Sequence, residues 1–524
     1  TYRYCTDPGD TLQLTDGDKT TAYFWTQKGT VGWQGGEIVS IVVDLGKVEP
    51  ISGAAFRSAA GKAGVVWPAY IGVHVSDDGK QWYDAGDLLA LDIKAHGPIP
   101  EDYGIRQFET SSLKAHGRFV RFVVIPNGTY VFCDEVEIHR GDAALLQEPT
   151  GESVNDYILL AKQIKMNSSV LRRYGHDLEG ISHALESGGL PEKEVALLKD
   201  GLSQAYESAM NAPLPQLDDF RTVLPFNTAH ASMFQIQASA WAALGRPPVS
   251  AWICDTWTPA ELFTVPPMPG ESDKPMNVHL MRGEYRASAF DLANATATKK
   301  QVAISFEGLP GGATPNYVTL AEVPWTDTTT GQAVAAALPP TSPSEDAWTV
   351  NVDSGIPRRV WLTWHITDIE PGEYQGHIVI QDGTKAIARL PVALTVYPFE
   401  FPKQPTLLLG GWSYTNGNGS YGITSTNRPA FLKHMHEHFV NSPWAKRSVL
   451  GPAEFDEQGN PRIDTGEWDD WQAQWPNAKK YCIFLGLGGL DHDTLQTFGG
   501  ARLGTPEFDE RVGKFFAAWA KHWK

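Results

Sequence analysis

The clearest alternation of apolar and polar positions lies between residues 360 and 396. Leu362, Trp364 and Ile366 fall on one side of an extended backbone, Ile378 and Ile380 continue the pattern, and Leu390, Val392, Leu394 and Val396 repeat it. A period of two places each set on one face of a strand. Pro371-Gly372 and Asp382-Gly383 separate the runs with turn chemistry. After Pro402 the pattern changes. Leu407-Leu408-Leu409-Gly410-Gly411 is a short continuous apolar run, the texture of a buried parallel strand. The reading is a β-sandwich that hands the chain to a β/α barrel, with Trp412 and Tyr414 at the mouth of its first strand.

The same reading divides the rest of the chain. Residues 1–141 are all-β, with alternating runs at 38–45, 70–75, 119–125 and 136–139 separated by Gly, Asp and Pro. Residues 142–275 begin with helical spacing: Val154, Ile158, Ala161 and Ile164, then Val195, Leu198, Leu202 and Ala205. That spacing predicts a helical hairpin, ended by Pro213 and Pro215. A Pro-rich, Trp-bearing packed connector follows, with a helix near 231–244. Residues 276–402 form the second, Ig-like sandwich. Residues 403–524 alternate strand and helix: strands at 407–411, 440–444 and 481–486, helices at 428–439, at 469–475 and from Pro506 onward. A closed barrel takes eight such units and about 250 residues. The expectation is therefore an unfinished (β/α)8 cylinder, completed by further chain or by a second copy, because an open edge and a bare apolar face do not stand alone in water.

Composition narrows the partners. The 524 residues exceed what one core supports, so several domains are expected. A net charge of −18 disfavours a nucleic-acid backbone. No apolar stretch reaches membrane-spanning length. The 18 Trp suit sugar stacking, although large β-domains also use Trp in their cores. The first residue is Thr1, which a removed signal peptide or an unrecorded start would explain. Of the four Cys, Cys5 and Cys133 could close the first sandwich with a disulfide, or could both be free.

Two resemblances add to this. The phrases LTDGDKTTAYFW, IVVDLG, IGVHVSDDGKQW, RFVRFVV and CDEVEIH occur in order over residues 1–141. The series resembles a discoidin-like jelly roll of the F5/8 type C kind, similar to carbohydrate-binding module family 32. The resemblance implies a structural calcium ion at Asp16, Asp18, Thr21 and Glu135, a hard-oxygen set that suits that cation, whereas the plain alternative is an Asx-turn beside a strand end. It also implies sugar contact from loops at one end, where Trp33, Trp67, Tyr103 and Tyr130 are the candidates against core or rim packing.

The second resemblance rests on PGEYQGHIVI, then LPVALTVYPFEFP, then the 407–411 run. The junction is similar to that of glycoside hydrolase family 123, β-N-acetylgalactosaminidases. The resemblance implies retaining, substrate-assisted hydrolysis, in which a Glu protonates the leaving oxygen and a neighbouring Asp orients the substrate acetamide. Strand counting puts that pair after residue 524, and neither Asp134-Glu135 nor Asp509-Glu510 is given the role. What remains at the mouth is rim: Trp412, Tyr414, Asn441, Trp444, Asp491 and His492, as sugar contacts or as capping and turn residues. His434 and His438 share a helix face at metal-ligand spacing, but outer barrel helices turn such residues to water, and no catalytic metal is expected.

The combined expectation is a secreted, periplasmic or cell-surface glycoside hydrolase. It would act on N-acetylhexosamine-containing glycans, with oligomerisation open. The rivals are a non-catalytic carbohydrate-binding surface or matrix protein, and a hydrolase of different sugar specificity.

Overall fold

The computed structural model describes residues 8–147, 151–154, 156–268, 270, 274–328, 330–411, 414–417, 422–485 and 497–523. It divides into two units, Thr1–Phe399 and Glu400–Lys524.

The first unit opens with the expected jelly roll. A short helix α1 (Asp10–Gln13) precedes β1 (Val31–Gln34), the long β2 (Val39–Ala60), β3 (Tyr70–Ser76) and β4 (Tyr83–Asp87). Helix α2 (Leu88–His96) follows, its N-terminus capped by the Asp87 carboxylate accepting from the Ala90 N–H. Then come β5 (Gly104–Thr110), β6 (Ala115–Ile125), β7 (Tyr130–Cys133) and β8 (Glu135–Arg140). The main sheet runs β4-β3-β6-β2-β5, with β8 also on β2, while β1 and β7 pair separately. Strand β2 serves three neighbours. Its first half pairs with β6, and its second half with β5 and β8. Phe24, Ile51, Phe56, Val73, Phe108 and Phe122 are fully buried between the layers.

Three helices follow, where a hairpin plus one helix was expected: α3 (Tyr157–Ser187), α4 (Glu192–Met210) and α5 (Thr228–Ala243). Asp156 caps α3 and Asn227 caps α5, each accepting from the N–H three residues on. Helix α3 lies against the jelly roll at its start. Arg121 of β6 sits 3.7 Å over the Trp82 ring and 4.7 Å over the Tyr157 ring, and buried His74 stacks on Tyr157. Further along, Asp177 accepts from the Arg173 Nε–H and Nη2–H (3.0 and 2.6 Å) and from the His230 Nε2–H (2.8 Å). All three residues are buried, so one carboxylate ties α3 to α5.

The second sandwich contains β9 (Val249–Cys254), β10 (Met276–Arg282), β11 (Tyr285–Asn294), β12 (Lys300–Glu307), β13 (Val318–Val323), β14 (Trp325–Thr326), β15 (Val334–Ala335), β16 (Pro340–Thr341), β17 (Trp348–Val352), β18 (Arg358–His365), β19 (Gly372–Asp382) and β20 (Lys385–Glu400). One sheet runs β10-β20-β19-β12-β17, the other β16-β13-β18-β11-β9. The alternating residues that opened the sequence reading fill the space between them: Leu362, Trp364, Ile366, Ile378 and Ile380 are fully buried. Strand β9 comes from the stretch read as a connector. It joins the edge of the second sheet by pairing with β11. The helical layer meets this sheet at Gly355, whose φ is +68° and whose added Cβ would lie 1.8 Å from the Phe234 carbonyl oxygen, so glycine alone fits.

In the second unit, α6 (Arg428–Glu437), β21 (Trp444–Lys446), the hairpin β22 (Glu454–Phe455) and β23 (Pro461–Arg462), α7 (Gly466–Ala473), β24 (Cys482–Phe484) and α8 (Pro506–His522) follow in order. Strands β21 and β24 are parallel, and Tyr414 bridges to Trp444 in the same sense. From α6 onward the helices and parallel strands alternate as expected, with the β22–β23 hairpin inserted. A closed barrel is not formed by the described residues. Residues 407–411, expected as the first strand, are not a strand: Leu407 and Leu408 are 69% and 50% exposed. Their backbone is gripped on one side only, with the Leu409 carbonyl accepting from the Asn441 and Ser442 N–H groups (3.1 and 2.9 Å). A continuous apolar run predicts burial on both faces. That burial needs neighbours the described residues do not supply.

Cys133, Cys254 and Cys482 are free thiols, and Cys5, the partner considered for Cys133, lies outside the described residues.

Candidate functional site

The jelly roll gathers aromatic rings at one loop end. Residues 21–26 turn through a short 3-10 helix, which buries Phe24 and sends Tyr23 and Trp25 to the same side. The Phe24 N–H donates to the Tyr103 hydroxyl (3.1 Å), fixing the loop that carries Tyr103. Tyr23 lies 4.8 Å from Trp25 and 5.1 Å from Tyr103, ring centroid to centroid. Trp25 continues to Phe132 (5.5 Å), and Phe132 to Tyr130 (6.2 Å). Trp25 and Phe132 are buried beneath, Tyr103 and Tyr130 are half-buried, and Tyr23 is 37% exposed. The result is a ring cluster in which Tyr23 is open to solvent and Tyr103 and Tyr130 are partly so.

Of the four sequence candidates, Tyr103 and Tyr130 belong to this cluster. The other two do not. In the β1–β7 register Trp33 pairs with Val131 and Gln34 with Tyr130, so Trp33 and Tyr130 point to opposite faces. Trp67 is buried, donates its Nε1–H to the Pro100 carbonyl (2.9 Å) and packs edge-on against Phe108. Tyr23 was not among the candidates. Its signal was present in the AYFW phrase, where one buried Phe separates two same-side aromatics.

The expected calcium positions lie at the other use of this loop. Asp16 Oδ1 accepts the Asp18 N–H (2.8 Å), and Glu135 Oε2 accepts the Gly17 N–H (3.1 Å). Glu135 is 5% exposed, and its carboxyl is pushed above the usual range by burial and then by the negative charges of Asp16, Glu137 and Asp134. Asp134 is pushed up by burial although Arg57 pairs with it, and its Oδ1 has no hydrogen-bond partner. Surplus oxygen and surplus negative charge fit a hard cation. Asp18 and Thr21 are exposed, and it is Thr20 that turns inward to Thr30. Among the described residues no group of three or more His, Cys, Asp or Glu side chains comes together. A cation here would therefore have the Asp16 and Glu135 carboxylates as its side-chain ligands.

In the second unit, alternation along the parallel pair splits the side chains. Ala445 and Ile483 turn toward the core built by Trp468, Trp471, Phe515 and Trp519 of α7 and α8. Trp444, Lys446, Cys482 and Phe484 therefore lie on the opposite face, with Tyr414 beside them. Lys446 Nζ sits 5.5 Å over the Tyr414 ring, and Tyr414 lies 6.1 Å from Phe484, which is 45% exposed. Tyr414 and Trp444 are thus brought together, with Lys446 and Phe484 as residues the sequence reading did not name. Asn441 has a different occupation. It is buried, its Oδ1 accepts the Leu409 N–H (2.9 Å), and its Nδ2 donates to the Leu407 carbonyl (2.9 Å). Both ends of its amide hold backbone. Trp412, Asp491 and His492 lie outside the described residues. Of the helix histidines, the His434 and His438 rings lie 4.2 Å apart and tilted by 38°, and His436 contacts the Gln474 carbonyl.

Residues 4–137 match the F5/8 type C domain family, and the N-terminal domain is accordingly discoidin-like. No curated protein matches the chain in sequence. Among solved structures, a family 123 glycoside hydrolase from Clostridium perfringens, studied for glycolipid glycan hydrolysis, is similar at 12% identity and a TM-score of 0.38. The match covers 53% of this chain and 56% of that one, so the chain spans little more than half of the enzyme's length. A family 32 carbohydrate-binding module from a family 31 glycoside hydrolase of Clostridium perfringens matches at 11% identity and a TM-score of 0.20, over 27% of this chain and 92% of that one. A fucolectin from striped bass (Morone saxatilis) serum matches at 12% identity and a TM-score of 0.19, over 68% of this chain and 85% of that one. At these scores the three likenesses carry no functional weight.

Proposed function

We propose that the chain is the glycan-binding and barrel-entry part of a glycoside hydrolase acting on N-acetylhexosamine-containing glycans, β-N-acetylgalactosaminides first. The observation that carries the reading is the F5/8 type C domain with its ring cluster of exposed Tyr23 and half-buried Tyr103 and Tyr130. The same chain holds a parallel β/α body in which Tyr414, Trp444, Lys446 and Phe484 lie on the face opposite the core built by α7 and α8. Flat rings beside hydrogen-bonding groups stack on the C–H face of a pyranose and orient its hydroxyls. In a (β/α)8 barrel the face turned away from the helices is the interior, and the ends of its strands carry the active site. The hydrolytic step would be substrate-assisted, with an Asp-Glu pair orienting the acetamide and protonating the leaving oxygen. Neither adjacent acidic pair described above takes that role: Asp134 is held by Arg57, and Glu510 lies on α8 in an ion pair with Lys514.

The test is retention of the native protein on immobilised desialylated mucin, together with release of p-nitrophenol from aryl N-acetyl-β-galactosaminide against other aryl glycosides. Retention and release are expected. Retention without release would favour the non-catalytic carbohydrate-binding rival, and failure of both sinks the reading. The calcium ion is part of the proposal, as a structural ion at Asp16 and Glu135. Chelation should lower the melting temperature of the wild-type jelly roll and added calcium should restore it, while Glu135→Gln should not respond. An identical response in the two proteins removes calcium from that site.

A further inference from the structure

The outer face of the second sandwich carries an aromatic surface that neither the jelly roll nor the β/α body accounts for. Trp257 is 79% exposed, on the loop after β9. Large apolar side chains are seldom left so open, and this one is held in place. Asp255 Oδ1 accepts the N–H groups of Trp257 (3.0 Å) and Thr258 (2.9 Å) and the Thr258 hydroxyl (3.1 Å). Arg359, paired through two nitrogens with Asp291, donates to the Thr258 carbonyl (2.5 Å) and anchors the loop from the sheet side. The indole stands edge-on to Trp361 of β18 at 5.5 Å.

Sheet register then extends the surface. Trp361, Thr363 and His365 alternate with the buried Leu362 and Trp364, so they share the outer face. Thr319 pairs with Thr363, and Tyr285 pairs with His365 and stacks on it at 3.9 Å. Four residues of strand separate Trp361 from His365, about 13 Å. The face thus presents a standing indole, a band of two threonine hydroxyls, and a second stacked ring pair, over a length that exceeds one sugar ring.

We propose that this face is a second glycan-binding surface, taking a neutral oligosaccharide with one pyranose on Trp257 and the next sugars along the threonines toward Tyr285 and His365. The inference rests on the glycan-handling reading above and adds a site to it. A protein partner fits less well. A stable protein interface needs roughly 1,600 Å² around an apolar centre. Here Trp257 is the one strongly exposed large apolar side chain among the described residues of the face. The chain's net charge of −18 disfavours an acidic glycan.

The experiment uses the full chain on immobilised desialylated mucin, in four forms: wild type, Trp257→Ala, the jelly-roll pair Tyr23→Ala/Tyr103→Ala, and all three changes together. Because Trp257 is exposed, Trp257→Ala should unfold at the wild-type temperature, and Trp257→Phe should keep most of the binding. Trp257→Ala should weaken retention about fivefold to tenfold, the worth of one aromatic contact. The jelly-roll pair should leave a residual retention that the triple variant loses. If Trp257→Ala binds as wild type while the jelly-roll pair abolishes retention, the second surface is refuted and the first reading stands. Unchanged retention with loss of self-association in Trp257→Ala would identify a protein contact and refute the proposal. No retention of wild type would refute the glycan reading and this surface together.

Discussion

Acid should loosen the jelly roll from its helix through a single side chain, His74. The ring is fully buried in β3, stacks on Tyr157 at the start of α3, and has only the Tyr70 hydroxyl within reach of Nε2 (3.4 Å). Its Nδ1 has no partner, and Arg121 is its cross-strand neighbour on β6. Burial, and then the Arg121 charge, pull the imidazole down to about 4 from 6.5. The unfolded chain takes up this proton near pH 6.5 and the folded chain only near pH 4. Between those values the unfolded state binds more protons, so stability falls as pH falls. The contribution is intact above pH 6.5. About 2 kcal/mol is lost between pH 7 and pH 5, and about 3 kcal/mol once both states are protonated. Asp84 and Asp87, whose carboxyls burial pushes up, act in the opposite sense as acid is added. Across the window from pH 7 to 5, comparison with a variant that lacks only the imidazole therefore isolates the histidine. Hydrogen exchange of peptides covering Tyr70–Ser76 and Ala115–Ile125, corrected for the intrinsic pH dependence, reads the local opening energy. Wild type should lose about 2 kcal/mol across the window, and His74→Phe, which keeps the stack without the titration, should lose almost none. Equal slopes in the two proteins would refute the reasoning.

Asp177→Ala should destabilise the three-helix layer by about 3–5 kcal/mol, because it removes the carboxylate from buried His230 and from two of the three Arg173 nitrogens, leaving the third on the Gly331 carbonyl. Arg173→Met with Asp177→Leu should cost clearly less, and exchange rates across α3 and α5 report both. Asn441→Ala removes both amide contacts to the 407–409 backbone and should cost about 1–3 kcal/mol in the second unit, read as earlier thermolysin cleavage in that segment. Cleavage at the wild-type rate would mean that the amide does not hold the segment.

The sandwiches were legible because a half-buried strand writes its two faces into alternate positions. Leu362 to Val396 alternated in the sequence and are buried in that order in the structure. The helices from 428 and from 506 were legible from spacing and from proline in the first turn at Pro429 and Pro506, and the one expected at 469–475 forms at Gly466–Ala473. Strand β9 was not, since an edge strand inside a proline-rich stretch has too few alternating residues to stand out.

The candidate sites divide along the same physical line. Sequence alone could say which residues have the chemistry for sugar: the Trp, Tyr and Asp of loops that follow strands. Only the tertiary structure decided which of them face outward together. Trp33 and Trp67 have the same side chain as Trp257. The β1–β7 register and the Pro100 carbonyl turn the first two into the fold, while the Asp255 turn holds the third in solvent. Asn441 looks like a hydroxyl ligand until its amide is found closing two backbone contacts. Local pattern records what a side chain prefers, because burial and periodicity are properties of neighbouring positions. Orientation toward a shared surface depends on strand register and on partners far along the chain, which no local window contains.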